Sequence, residues 1–132
     1  MKIMLTKPRD VHDYRDWLTQ TVHALGLSQD LNAKLVAQLC QRDQLGSVQI
    51  AEQVVMPHVV CDALPDSWLV VSQLPLPIRY LKIANITTGI YIFARPHDSS
   101  VSQAIDCLTD EAVITALRNP QLSVRQLTEL FS

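Results

Sequence analysis

Residues 86–94 carry apolar bulk at even positions (Ile86, Ile90, Ile92) and at odd ones (Tyr91, Phe93). Side chains of a strand alternate between its two faces, so a strand with this pattern must be covered on both. The segment therefore belongs at the centre of a sheet, with further layers above and below it. Few compact arrangements meet that demand, and the rest of the chain is read for what could supply the layers.

Helical spacing occurs on either side of the β-rich middle. Lys2–Thr6 reads as a first strand closed by Pro8, and Asp10 as the cap of a first helix. Tyr14, Trp17, Leu18, Val22 and Leu25 recur at helical spacing until Gly26. Ser28 caps a second stripe of Leu31, Leu35, Val36, Leu39 and Cys40, with Arg42 near the edge of the buried face and Gly46 as the stop. Residues 54–56 and 68–72 read as short strands, residues 46–53 as a loop, and Pro75 and Pro77 as a break in the chain. Residues 78–81 fit either class. Val101, Ala104, Ile105 and Leu108 form another helical stripe. A helix starts at Thr109, Asp110 and Glu111, with acids in its first turn, and ends at Asn119 and Pro120. Ser123 and Gln126 fit a capping box before Val124, Leu127, Leu130 and Phe131. Together these predict one domain over residues 1–132, α/β in the broad sense (α+β). Its core is a mixed sheet of about five strands with helices on both faces.

Composition narrows the function classes. A formal net charge of -2 gives no basic footprint for nucleic acid. The three cysteines, Cys40, Cys61 and Cys107, form no CxxC pair, so a reducing compartment fits better than a disulfide scaffold. No apolar run approaches the roughly 20 residues that span a bilayer, and residues 1–10 lack the apolar stretch of a signal peptide. The expectation is a soluble cytoplasmic domain with no direct membrane insertion.

His58 directly follows the apolar run Val54, Val55, Met56 and the stiffening Pro57. One reading is an imidazole presented at a sheet rim to act as nucleophile, base or ligand. The other is a histidine that closes a strand and bonds to a carbonyl. Arg42 is either a fork for anionic oxygens or a solvated cation at a helix C-terminus. His97, before Asp98, Ser99 and Ser100, is either a hydrogen-bond donor in a site or a surface histidine in a turn before a helix. The spacing of His58 and Cys61 suggests a metal site or a Cys-His nucleophile only weakly. Ligands are few, and Cys61 has no evident orienting acid.

Arg42 and Asp43, Gly46 and Ser47, Ile50, and Pro57 and His58 together resemble the signature of the IIA proteins of the bacterial sugar phosphotransferase system, mannitol/fructose class. The spacing from arginine to histidine is the family's, and the resemblance extends through Thr109, Asp110, Glu111, Leu117 and the 123–131 segment. It implies a phosphotransferase. In that family the histidine after proline, matched by His58, takes a phosphoryl group from HPr and passes it to a IIB domain or IIBC membrane component. Arg42 matches the active-site arginine and His97 a second histidine. No metal or organic cofactor is implied. The chain departs from the family over Val48 to Gln53, where glycines and a hydroxyl are replaced and Glu52 adds a carboxylate. The loop after Pro96 is also shorter. That departure leaves a second reading open: an interaction module on the same fold that binds a partner such as a transcription regulator.

Overall fold

The computed structural model describes residues 1–81 and 84–132. In chain order the elements are β1 (Lys2–Thr6), α1 (Tyr14–His23), α2 (Gln29–Gln44), β2 (Gln49–Ala51), β3 (Val54–Val55), β4 (His58–Val60), β5 (Trp68–Tyr80), β6 (Ala84–Ala94), α3 (Ser99–Cys107), α4 (Glu111–Arg118) and α5 (Val124–Leu130). The sheet is mixed and has six strands in the order β1-β5-β6-β3-β2, with β4 also on β6. β6 lies inside it, antiparallel to β5 and parallel to β3 and β4.

Both faces of β6 are covered, as its two-sided apolar pattern requires. Tyr91 and Phe93 pack with Trp17, Leu18, Val22, Leu35 and Leu39 of α1 and α2. Ile90 and Ile92 pack with Val101, Ala104, Ile114, Leu117 and Leu127 of α3, α4 and α5. The helix starts follow cap chemistry. Ser28 accepts from the Leu31 amide, and Ser123 and Gln126 complete the capping box. The first helix is capped by Asp13 rather than Asp10. The Asp13 carboxylate accepts from the Asp16 amide at 2.8 Å, whereas the Asp10 carbonyl accepts from the Gln20 side chain.

Two sequence expectations need correcting. Pro75 and Pro77 do not end the strand, since β5 continues through them to Tyr80. Paired residues lapse between Gln73 and Ile78, so the missing proline amides fall where no ladder bond is formed. Residues 46–53 are not wholly loop either, because β2 pairs with β3 as a short hairpin. Its sequence, Gln49, Ile50, Ala51, is too short to show a period of two.

Trp17 fixes the first helical layer to the sheet. It is fully buried, and its indole Nε1 donates to Ser72 Oγ at 2.8 Å. Gly89 is paired with Ser72 across the ladder. A Cβ on Gly89 would lie 2.9 and 3.0 Å from the Trp17 ring and 2.5 Å from Tyr91 Cε2. Both neighbours are buried rings, with little room to move. Gly89→Ala should therefore destabilise the fold by about 1–3 kcal/mol, the usual range for overpacking. A urea midpoint unchanged from wild type would show that the rings can shift aside.

Candidate functional site

β3 and β4 run along the same side of β6, interrupted at Met56 and Pro57. The Pro57 carbonyl accepts from the Ile92 amide at 2.9 Å, which holds the interruption against the sheet. His58 is the first residue of β4, opposite Ile92, and β6 is the only described strand that β4 pairs with. His58 is thus half-buried at an edge of the sheet. Its Nδ1 lies 3.2 Å from the Met56 carbonyl oxygen. A carbonyl only accepts, so this bond places the ring proton on Nδ1 and leaves the lone pair on Nε2. The bond to a carbonyl is the one the strand-closing reading expects, but the residue opens its strand rather than closing it.

Arg42 lies in the last turn of α2, a helix that packs on β4. Its Nη1 donates to the Gly46 carbonyl at 3.4 Å, which meets the helix C-terminus with a cation. Asp43 is anchored beside it. Tyr14 Oη donates to Asp43 Oδ1 at 3.2 Å, and the Tyr14 ring packs on Tyr80 at 4.6 Å between centroids. Tyr80 Oη accepts from the Val48 amide at 2.8 Å. Burial pushes the Asp43 carboxyl up from its ordinary range, against the Tyr14 hydrogen bond and the Arg42 charge, which pull it down. Burial first, and then the negative charge of Asp43, raises the Tyr14 phenol. The chain leaving α2 toward the hairpin is therefore tied to β5 by an aromatic and hydrogen-bonded clamp. Val48, where the family has a hydroxyl, is part of the core.

His97 is exposed, in the turn after β6, with a left-handed backbone at φ 60°. That conformation costs on the order of 1 kcal/mol for a residue with a Cβ. Asp98 caps α3, accepting from the Ser100 amide at 3.0 Å and its hydroxyl at 2.6 Å. The Ser100 hydroxyl, and after it that of Ser67, holds the Asp98 carboxyl down at about 2. β4 and β6 are parallel and end together at Val60 and Ala94, so His97 follows the same end of the sheet that β4 occupies. Among the described residues no hydrogen bond joins Arg42, His58 and His97 to one another.

Glu52 is exposed in the tight turn between β2 and β3. Val54 pairs with Thr88, whereas His58 pairs with Ile92, so the turn lies toward the other end of β6. Glu52 borders a groove shared with Thr109, Glu111 and Arg118, and His58 is not among the residues lining that groove. Gln53, in the same turn, adopts a left-handed backbone at φ 65°, a conformation that favours glycine. Around His58, Val59 points into the core, while Val60 is 58 % exposed and Met56 half-buried. Cys61 is buried and free, and no cluster of three potential metal ligands occurs among the described residues.

The raised Asp43 carboxyl has a pH consequence. The folded chain holds that proton more firmly than the unfolded chain, whose value is near 3.8. Stability contributed by the neutral form is thus lost as pH rises through the raised value. Asp43→Asn keeps an acceptor for Tyr14 and removes the charge. Its stability relative to wild type should be higher at about pH 7 than at about pH 3, read from urea midpoints. Equal differences at both values would mean that burial of the charge does not matter.

No protein-family model matches the chain, and no curated protein matches it by sequence. Solved structures do. The nitrogen regulatory protein IIA-Ntr from Neisseria meningitidis is 12% identical with a TM-score of 0.73, over 98% of this chain and 92% of that one. The mannitol IIA from Escherichia coli is 19% identical with a TM-score of 0.66, over 98% and 95%. The complex of mannitol IIA with phosphorylated mannitol IIB, also from Escherichia coli, matches at 18% identity and a TM-score of 0.68, over 97% and 92%. Helices on both faces of a mixed sheet are thus one instance of a shared architecture: the chain has the fold of the phosphotransferase-system IIA proteins.

Proposed function

We propose that the chain is a phosphoryl carrier of the sugar phosphotransferase system. His58 accepts a phosphoryl group from phospho-HPr and passes it to a IIB domain or IIBC component for sugar uptake. The observation that carries this reading is the bond between His58 Nδ1 and the Met56 carbonyl. It holds the ring in one tautomer at a sheet edge, with Nε2 as the nucleophile.

The step balances simply. The Nε2 lone pair forms the bond to phosphorus, and the donor's bond to phosphorus breaks with its electron pair returning to the donor. The Nδ1 proton stays on the ring, and the Met56 carbonyl steadies the positive charge that develops. Transfer onward to IIB is the same step in reverse sense. Such reactions need alignment and charge stabilisation more than covalent machinery. Arg42 supplies the guanidinium, whose tie to the Gly46 carbonyl is long at 3.4 Å and is exchanged for phosphoryl oxygens. His97 donates a further hydrogen bond from the turn after β6. Val60 and Met56 offer the apolar contact for HPr and IIB in turn.

Incubation with phosphoenolpyruvate, Enzyme I and HPr should add one acid-labile phosphoryl group, seen by intact mass. His58→Ala should abolish it and His97→Ala should retain it. Arg42→Lys keeps a charge but loses the planar fork, and should slow labelling by about tenfold, the equivalent of one charge-assisted hydrogen bond. A well-folded sample that stays unlabelled would defeat the carrier reading. It would favour an interaction module that binds a regulator through the same face.

A further inference from the structure

A second cleft opens at the other end of the sheet, where β1 ends and the hairpin turn meets β6. It has a volume of about 540 Å³ and is bordered by Lys7, Arg9, Arg118, Gln53, Gln73, Thr87 and Thr88, with no acidic residue on its wall. Three cations thus converge in a chain whose net charge is negative. None of them has a carboxylate partner among the described residues. Lys7 donates to the Pro120 carbonyl at 2.8 Å and Arg118 to the Glu52 carbonyl at 3.0 Å. Those bonds fix the direction of two cations without neutralising them.

Gln73 is 7% exposed. Its Nε2 is held by the carbonyls of Leu117 and Asn119 at 2.8 and 2.9 Å, which settles the orientation of the amide. Its Oε1 is then an acceptor at the inner wall with no donor among the described residues. The Thr87 and Thr88 hydroxyls, 3.5 Å apart, stand on the facing strand, and both Thr amides are already bonded to the Gln53 carbonyl. An unpaired cationic trio calls for a compact dianion, and the hydroxyls and the free amide oxygen call for a ligand with hydroxyl groups. Bare phosphate would fill only part of a cleft of this size.

We infer that this cleft binds a small phosphomonoester bearing hydroxyl groups, of the polyol or sugar phosphate class, at a site separate from His58. Lys7, Arg9 and Arg118 take the phosphate. Thr87, Thr88 and Gln73 take the hydroxyl end. Arg118 also borders the groove of Glu52, and through it the ligand touches the β2–β3 hairpin, which leads along the chain to His58.

The test is calorimetric titration at low ionic strength with glycerol 3-phosphate, ribose 5-phosphate, inorganic phosphate and glycerol. Saturable one-to-one binding of the two esters, weaker for inorganic phosphate and absent for glycerol, is the expected result. Arg9 is exposed and makes no described hydrogen bond, so Arg9→Gln should leave Tm unchanged and weaken the esters by about tenfold. The Thr87 and Thr88 amide resonances should shift on titration, and His58→Ala should bind as wild type does. No saturable binding of either ester, binding unaffected by Arg9→Gln, or loss of binding in His58→Ala would each overturn the assignment. Inorganic phosphate binding as tightly as the esters would overturn the role given to the hydroxyl end.

Discussion

Everything else in this molecule depends on one close approach. The Trp17 indole lies against the backbone of Gly89 and bonds to Ser72, the residue that Gly89 faces across the β5–β6 ladder. One side chain therefore joins α1 to both central strands at a single point. Tyr91 meets the same indole edge-on, 5.7 Å between centroids, and stacks on Phe93 in turn. The aromatic face of β6 is thus ordered from α1 outward. β4, which carries His58, takes its register from Ile92, Phe93 and Ala94 on that strand. The position of the imidazole is in this sense inherited from a tryptophan forty-one residues earlier in the chain.

The elements legible in the sequence are those set by local physics. A two-sided apolar run must be central, and Ser28 and Ser123 start their helices by local capping bonds. Where the reading failed, distant contacts had decided. Pro75 and Pro77 are tolerated in β5 because the ladder lapses there, which only the pairing with β6 determines. The first helix starts at Asp13 and not at Asp10, with Val11 and Tyr14 on either side of that cap packed against the core.

The candidate site divides the same way. Pro57 and His58 are adjacent, and their placement at a sheet rim follows from that adjacency. The Met56 carbonyl that orients the ring carries no sequence signal, since every residue has a carbonyl. How near Glu52 comes to His58 depends on which end of β6 the hairpin reaches, and that is set by the pairing of β3 with β6. The cleft of Lys7, Arg9 and Arg118 was out of reach altogether. Arg118 stands more than a hundred residues from Lys7 and Arg9, and they converge only because β1 ends beside β5, near the close of α4.

The break at Met56 and Pro57 also bears on solubility. A long open strand at the rim would present a row of amides to any neighbouring chain. Here the rim is divided between β2 and β4, three residues each, with an imino acid directly before the second. Such fragments are poor templates for intermolecular β-pairing. The histidine can thus stay accessible to visitors without the molecule polymerising along that border.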